Sequence, residues 1–460
     1  MERFSVQGIQ FVLGIIIARL LLPSDYGLIA VLNIFLAISQ VFIDSGFGNA
    51  LIRKQNRTEV DFSTVFYFNI VVSVLFYLIL FFSSSHIAVF FDAPLLKILT
   101  KVIALNIIIN ALTIVQRTKF TISVDFKTQM KCSLLAVIVS GAIGIIMAYR
   151  GWGVWALVAQ TIINGVINMS MLWLYSKWIP LKVFSISSFK ELFSYGSKLL
   201  LSGILDTIYN HLYVFVIGKK FSKNDLGYYT RADNFTQFPS SNITGILQRV
   251  AFPILSKMQD DDEQLGSAYR KFIKLSAFLI FPLMVGFAAV ADPFIRLVLT
   301  DKWSDAILLL QILCLSRMWY PVHAINLSLL QVKGRSDLFL KLEIIKKIIG
   351  VIILCITIPM GIVSMCVGLV IFSYLALLIN TYYSGKLINI GFLKQMKDLL
   401  PILAYSFSMG FIVWYTIQFI HSNGLALFTG ILIGIIYYIT ISFITKSKEL
   451  QEIKIILTKK

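Results

Sequence analysis

The sequence has few charged residues and few cysteines. Only 14% of its 460 residues are charged, whereas 58% are hydrophobic. This composition excludes a soluble globular protein, in which about 25% of residues are charged. Cys132, Cys314, Cys355 and Cys366 are scattered without a CxxC pair, and the four histidines are never at the spacing of metal ligands. We therefore expect neither a disulfide framework nor a bound metal.

Acidic residues and nucleotide-binding motifs are also scarce. The 23 Asp and Glu are outnumbered by 41 Lys and Arg, which gives a net charge of +18. Nucleic acid is not expected as a partner, because the basic residues lie in short segments beside apolar runs. The acidic run 260–263 is interpreted as a solvated loop. There is no Walker loop, and Gly46-Phe-Gly48 lacks the third glycine of a dinucleotide fingerprint, so no cofactor is predicted.

What the sequence does contain is a series of long apolar runs. A helix needs about 20 residues to cross a bilayer, and fourteen runs approach this length. They lie at about 3–20, 27–46, 62–85, 97–116, 128–149, 152–176, 196–218, 232–256, 268–291, 305–330, 339–358, 361–383, 398–420 and 424–445. The sequence therefore predicts an all-α, polytopic membrane protein with about 14 transmembrane helices.

Basic residues are concentrated on one side of this predicted membrane. If the N-terminus is cytoplasmic, the tails and the even-numbered loops carry most of the 41 Lys and Arg. The excess over the opposite loops is roughly threefold, which predicts that both termini are cytoplasmic. We expect a multi-pass protein of the inner (cytoplasmic) membrane.

An amphipathic segment and an internal repeat divide the chain. Residues 177–195 mix Lys with Phe and Leu, which predicts a linker that lies on the cytoplasmic membrane surface. We expect an N-lobe of helices 1–6 at 1–176, a C-lobe of helices 7–12 at 196–385, and two further helices with a basic cytoplasmic tail at 386–460.

The repeat relates the segment 19–27 to the segment 219–227. Each begins with a cation and ends in Asp-x-Gly, as Arg19…Asp25-Tyr-Gly27 and Lys219…Asp225-Leu-Gly227. Two such units that enter the membrane from the same side predict parallel repeats. Each Asp-x-Gly also predicts a tight outer turn, in which glycine supplies a positive φ.

Polar residues recur at helical spacing on spans 1, 2, 7 and 8. Membrane helices carry such residues where they face protein or water. We expect them to line a water-filled cavity between the two lobes. The predicted lining consists of Gln10, Asn33, Gln40, Asp44, Asp206, Asn210, Asn234, Gln237 and Ser241. Hydrogen bonding between helices by Asn, Gln and Ser is the alternative interpretation.

Two charges lie deep within predicted spans. At 1.5 Å per residue, Arg317 is on the order of 18 Å into span 10 and Asp206 on the order of 15 Å into span 7. An unpaired charge there costs at least ~2.5–3.5 kcal/mol. We expect Arg317 to face the cavity, where it contacts an anionic substrate or pairs with Asp206; a purely structural pair is the alternative. His211 could titrate near neutral pH and couple transport to protons, although a packed histidine is the simpler interpretation.

Several short motifs follow one another along the chain. They are the segments 18–27, 124–127, 151–158, 226–232, 252–253, 303–306 and 334–337. In this order they resemble the polysaccharide transporter family, the Wzx-type oligosaccharide flippases of the multidrug/oligosaccharidyl-lipid/polysaccharide superfamily. The resemblance implies twelve to fourteen helices in two lobes around a central cavity. Such proteins usually begin with a basic cytoplasmic stretch, so we expect a missing N-terminal segment or a misplaced start.

The resemblance also implies a function. It implies translocation of polyprenyl-pyrophosphate-linked oligosaccharides from the inner to the outer leaflet, for lipopolysaccharide O-antigen, capsule or teichuronic-type polymers. The cations Arg19, Lys219, Arg231 and Arg317 would bind the pyrophosphate. Expected partners are the lipid-linked oligosaccharide, the bilayer and a polysaccharide polymerase, and no covalent bond would change, so the protein would not be an enzyme.

Three alternatives remain beside this interpretation. A multidrug or cation antiporter of the same superfamily would favour acidic cavity residues. A membrane polysaccharide polymerase or glycosyltransferase would need a long outer loop or acidic metal-binding loops, whereas the outer loops here are short. A passive channel would need ring-forming filter residues.

Overall fold

The computed structural model describes residues 2–458, with the side chains of 2–5, 453 and 455–458 left aside. Throughout this range the regular elements are helices, as the fold-class prediction requires. The α-helices are α1 (Glu2–Leu20), α2 (Pro23–Asp44), α3 (Phe47–Arg53), α4 (Glu59–Phe90), α5 (Leu96–Ile103), α6 (Leu105–Ala111), α7 (Ile114–Ile122), α8 (Phe126–Tyr149), α9 (Val154–Ser176), α10 (Ile186–Lys220), α11 (Lys223–Lys257), α12 (Asp262–Ala289), α13 (Ala291–Leu299), α14 (Ala306–Arg317), α15 (Tyr320–Val332), α16 (Ser336–Thr357), α17 (Ile362–Ile388), α18 (Phe392–Ile417), α19 (Asn423–Ile444) and α20 (Lys448–Thr458). Short 3₁₀ turns lie at Asp301–Trp303 and Ile358–Met360.

Each predicted span falls on a helix or on consecutive helices. Within residues 2–458, eleven helical segments are long and apolar enough to cross a membrane. The predicted spans 1, 8 and 11 correspond to α1, α11 and α16, which are helical but are not among these eleven segments. The prediction of a polytopic helical membrane protein is confirmed, and the count of fourteen stays a prediction.

Local capping explains where several helices begin. The Thr58 hydroxyl accepts a hydrogen bond from the Asp61 N–H (3.3 Å), and the Asp61 carboxylate accepts one from the Thr58 N–H (2.8 Å). This reciprocal pair satisfies two N–H groups at the start of α4. Asp125 caps α8 by accepting from the Thr128 N–H at 3.0 Å. Hydrogen bonds from the Thr128 side chain and backbone lower the pKa of the Asp125 carboxyl.

Two predicted spans are interrupted. Span 4 is divided into α5, α6 and α7, and span 10 into α14 and α15. The interruption of span 10 follows Arg317 and precedes Pro321, which has no N–H to donate and disfavours a continuous helix. The Ser240 hydroxyl donates to the Arg317 carbonyl at 2.9 Å. A side chain of α11 therefore satisfies a carbonyl beside the interruption.

The chain forms two compact units, Met1–Gly227 and Tyr228–Lys460. This boundary differs from the linker predicted at 177–195, because residues 186–195 are the first turns of α10 and α10 packs within the first unit. A Cβ atom on Gly46 would lie 2.9 Å from the Gly196 Cα. Near the other end of α10, the Phe215 ring lies 5.7 Å from that of Phe91, edge to face. The six-helix lobes stay a prediction.

The two glycines of the sequence repeat lie inside helices rather than in turns. Gly27 is in α2 and Gly227 in α11, and neither has a positive φ, so the predicted glycine turns are wrong. A Cβ on Gly27 would lie 2.0 Å from the Lys223 carbonyl oxygen, and one on Gly227 would lie 1.9 Å from the Pro23 carbonyl oxygen. Glycine is required here because the two backbones approach so closely that only hydrogen fits.

This glycine contact is reciprocal, since residue 27 faces residue 223 and residue 227 faces residue 23. The aspartates of the repeat match as well. Asp25 accepts a hydrogen bond from the Leu22 N–H at 3.0 Å, and Asp225 accepts one from the Ser222 N–H at 3.1 Å. The two segments thus share one local structure, in which a carboxylate in the first turn accepts from the N–H three residues earlier and the glycine lets the backbones meet.

Candidate functional site: an amide-lined pocket in the first unit

A polar pocket of about 310 Å³ lies within the first unit, among α1, α6, α7, α8 and α9. Its lining consists mainly of amide and hydroxyl side chains with one cation and no carboxylate. The lining residues are Gln10, Asn106, Asn110, Arg117, Val137, Ser140, Gln160, Thr161, Asn164, Gly165 and Asn168. The volume is at the lower end of the roughly 300–1,000 Å³ that is typical of small-molecule sites.

Helical periodicity directs the amides into this pocket. Gln160, Asn164 and Asn168 are four residues apart on α9 and therefore share one face. Asn106 and Asn110 have the same spacing on α6. Gly165 allows the two helices to meet, because a Cβ at this position would lie 2.4 Å from the Asn106 Oδ1 atom.

Some of the lining groups are hydrogen-bonded and others are not. The Asn164 Nδ2 donates to the Ser140 hydroxyl at 3.2 Å, which ties α9 to α8. The Asn106 and Asn168 Oδ1 atoms are buried and accept no hydrogen bond from any residue that the structure describes. Asn168 is only 6% exposed. A buried acceptor without a donor costs about 1–3 kcal/mol, so these two oxygens are positioned to accept from a ligand or from water.

Of the predicted cavity residues, Gln10 is the one that lines this pocket. Six of the nine are exposed and three are half-buried. The exposed residues are Gln10, Asn33, Asp206, Asn210, Asn234 and Gln237, and the half-buried ones are Gln40, Asp44 and Ser241. Polar side chains within a membrane rarely face lipid. Their assignment to one common cavity stays a prediction.

The predicted deep ion pair has a different partner. The Arg317 Nη2 contacts the Asp233 Oδ1 at 2.5 Å, within the second unit. The predicted pairing of Arg317 with Asp206 is therefore wrong. The reason is tertiary, since the interruption after α14 brings the Arg317 side chain to α11, on which Asp233 lies. Both side chains are partly exposed, Arg317 at 28% and Asp233 at 21%.

The three other predicted cations lie in different surroundings. The Lys219 ammonium pairs with the Asp92 carboxylate at 3.2 Å and also donates to the Phe90 carbonyl. The Arg231 guanidinium carbon lies 5.9 Å from the centroids of both the Phe235 and the Trp303 rings. Arg19 is exposed in the last turn of α1.

The sequence profile of the family described as "Polysaccharide biosynthesis protein" matches residues 16–308, more than half of the chain. The chain belongs to this family. Among curated relatives of this chain, the teichuronic acid biosynthesis protein TuaB of Bacillus subtilis (strain 168) is 28% identical over 302 residues. That alignment covers 65% of this chain and 62% of TuaB, less than two thirds of the relative's length.

A second relative is the lipopolysaccharide biosynthesis protein WzxC of Escherichia coli (strain K12). It is 24% identical over 345 residues, which cover 74% of this chain and 69% of WzxC. The two names describe the biosynthesis of teichuronic acid and of lipopolysaccharide. The family model over residues 16–308 confirms the family predicted from the sequence motifs.

Solved structures share the fold of this chain. The lipid II flippase MurJ, in an inward closed conformation, matches with a TM-score of 0.79 at 16% identity, over 97% of this chain and 99% of MurJ. An inward-facing multidrug resistance transporter of the MATE family matches with a TM-score of 0.64 at 16% identity, over 85% of this chain and 95% of that chain. These likenesses confirm the predicted polytopic membrane fold.

Proposed function

We propose that this protein translocates oligosaccharides linked to polyprenyl pyrophosphate from the inner to the outer leaflet by alternating access. The observation that carries the proposal is the amide-lined pocket inside membrane-length helices of a polysaccharide biosynthesis family member. We further propose that the protein resides in the inner membrane with both termini in the cytoplasm. The proposed translocation is supported by the relatives TuaB and WzxC, which are named for polymer biosynthesis, and by the shared fold of the flippase MurJ.

The chemistry of the lining matches a sugar. An amide offers both an acceptor oxygen and N–H donors, and a sugar hydroxyl both donates and accepts. A pocket that presents six amides therefore replaces the water that surrounds sugar hydroxyls in solution. Polar groups on membrane helices are unfavourable unless they are solvated or bonded, and passage of a hydrophilic substrate gives them a role.

The pyrophosphate would be bound by the cations Arg19, Lys219, Arg231 and Arg317. Two of them already contact carboxylates, Lys219 with Asp92 and Arg317 with Asp233. A phosphate would therefore compete with Asp92 and Asp233, and arginine can offer two parallel N–H donors to it. The polyprenyl chain would stay in lipid, and a polysaccharide polymerase is the proposed downstream partner.

The main alternative is a multidrug antiporter, because the MATE transporter shares the fold. A site for cationic drugs favours carboxylates, and like charges oppose binding. The residues that line the pocket include Arg117 and no carboxylate. This charge pattern favours an oligosaccharide over a cationic drug.

The test is leaflet translocation of a labelled lipid-linked oligosaccharide in reconstituted vesicles. We expect wild-type protein to expose the label, and Asn168→Ala or Asn164→Ala to slow exposure at least tenfold at equal protein level. Asn56→Ala is the control, because Asn56 is an exposed amide in a turn of the same unit. Wild-type vesicles that expose no more label than empty ones, or that export cationic dyes instead, would refute the proposal.

A further inference from the structure

We propose that the pocket of the first unit binds a hydroxylated sugar ring that carries an oxyanion. The oxyanion contacts Arg117, and the ring hydroxyls donate to the amide oxygens of α6 and α9. This inference deepens the proposed function and rests on it. It specifies one part of the transported oligosaccharide, a sugar ring with an attached carboxylate or phosphate.

Arg117 is the cation of the pocket, and its guanidinium has no carboxylate partner among the residues that the structure describes. Its near neighbour Lys119 differs, since the Lys119 ammonium pairs with the Glu59 carboxylate at 2.8 Å. Arg117 also belongs to a helical segment apolar and long enough to span a membrane, Leu96–Ile122. A cation in such a segment is unfavourable unless it is solvated or paired. A guanidinium binds a carboxylate or a phosphate through two parallel hydrogen bonds.

Arg117 requires a hydrogen-bond acceptor, whereas two amide oxygens of the pocket require hydrogen-bond donors. The Asn106 and Asn168 Oδ1 atoms are buried acceptors, so they need a ligand with donors. An inorganic anion without an O–H group, such as sulfate, supplies acceptors for Arg117 and no donors for these oxygens. A cationic ligand would supply donors, but Arg117 would repel it. A ligand with hydroxyl donors and an acidic group satisfies both ends.

The size of the pocket limits what enters. Its volume of about 310 Å³ suits one or two sugar rings rather than a whole oligosaccharide, by comparison with the roughly 300–1,000 Å³ of sites for drug-sized ligands. Two sources can supply the oxyanion, a uronate carboxylate within the sugar unit or the phosphate that links the sugar to its lipid. Both present the same chemistry to Arg117.

The experiment measures binding of three soluble probes to the purified full-length protein: glucose, glucuronate and glucose 1-phosphate. We expect at least one of the two anionic probes to bind at least tenfold more tightly than glucose. Arg117→Ala should reduce that advantage to the level of glucose, and Arg117→Lys should restore part of it. Arg150→Ala is the control, because Arg150 is an exposed arginine at the end of α8. Asn168→Ala should weaken all three probes.

The three probes distinguish the two possible sources of the oxyanion. The outcomes also separate this inference from the proposed function. Preference for glucuronate assigns the oxyanion to the sugar, and preference for glucose 1-phosphate assigns it to the linker. Equal affinity for glucose and both anions, or anion binding unchanged in Arg117→Ala, overturns the inference while vesicle transport stands. Anion-selective binding without any lipid-linked transport instead refutes the proposed function.

Discussion

Two regions of this protein contain the same types of amide and hydroxyl side chain. They differ in whether these side chains have hydrogen-bond partners. The pocket of the first unit, with a volume of about 310 Å³, contains buried amide oxygens that have no donor among the described residues. A cluster in the second unit joins Tyr269, Asn326, Ser384 and Gln395, all at most 1% exposed. Each of these four side chains is hydrogen-bonded to at least one other.

The bonds of this second cluster connect four helices. The Tyr269 hydroxyl donates to the Asn326 Oδ1 at 2.7 Å, the Asn326 Nδ2 donates to the Gln395 Oε1 at 3.1 Å, and the Ser384 hydroxyl donates to the Asn326 Oδ1. The Gln395 Nε2 donates back to the Tyr269 hydroxyl at 3.1 Å. A closed network of this kind holds α12, α15, α17 and α18 together. Polar residues in a membrane helix can thus serve packing or a ligand, and the state of their hydrogen bonds distinguishes the two.

The largest effect on folding or transport is expected at the reciprocal glycine contact, because there is no room there for an added Cβ atom. Gly27→Ala and Gly227→Ala each add a Cβ that would overlap the backbone of the other helix, so the helices must separate. We expect a large and similar loss of folded protein or of transport in both variants. Gly245→Ala on α11 is the control, because nothing lies within 4 Å of a Cβ there. If Gly27→Ala behaved like Gly245→Ala, the contact would not be required.

The next largest effect is a loss of stability, which we expect at the centre of the hydrogen-bonded cluster in the second unit. Asn326→Ala removes a partner of Tyr269, Ser384 and Gln395 in a buried region, and each group left unsatisfied costs about 1–3 kcal/mol. We expect a clear fall in the unfolding temperature and in the amount of protein in the membrane. Tyr269→Phe, which removes one hydroxyl, should have a smaller effect. Full stability of Asn326→Ala would remove the distinction between the two regions.

The pocket should respond in the opposite way. Asn168→Ala removes an amide whose oxygen has no partner among the described residues, so the unfolding temperature should change little. Transport should nevertheless fall at least tenfold if the pocket binds the sugar. Thermal stability and vesicle transport measured on the same preparation test this. A variant that loses stability and transport in parallel would assign Asn168 to packing.

A small effect on stability is also expected at the Arg317–Asp233 pair. Both side chains are partly exposed, and exposed pairs contribute about 1 kcal/mol or less. We expect a double-mutant cycle with Arg317→Ala and Asp233→Ala to give a coupling free energy of that size in thermal unfolding. Transport should be lost in Arg317→Glu, because charge reversal repels phosphate, and retained in Asp233→Asn. Normal transport by Arg317→Glu would remove Arg317 from the proposed pyrophosphate site.

Part of the candidate site was predictable from local spacing. The sequence shows four-residue intervals between amides on two helices, at Asn106 and Asn110 on α6 and at Gln160, Asn164 and Asn168 on α9. It also shows the polar position Gln10 on span 1. The predicted cavity nevertheless lies at spans 1, 2, 7 and 8, because polar residues also recur at helical spacing there. Periodicity identifies a polar face and does not state which other helix that face meets.

The sequence by itself determined the class of the protein and the positions of its spans. Apolar runs and the scarcity of charge require helices in a bilayer, since each backbone group must be bonded within its own segment. Only the tertiary structure decided that Asp233 pairs with Arg317, that Gly27 and Gly227 permit backbone contact rather than turns, and that amides of α6 and α9 share one pocket. The physical reason is that helix formation depends on near neighbours, whereas these pairings depend on how helices distant in sequence pack together.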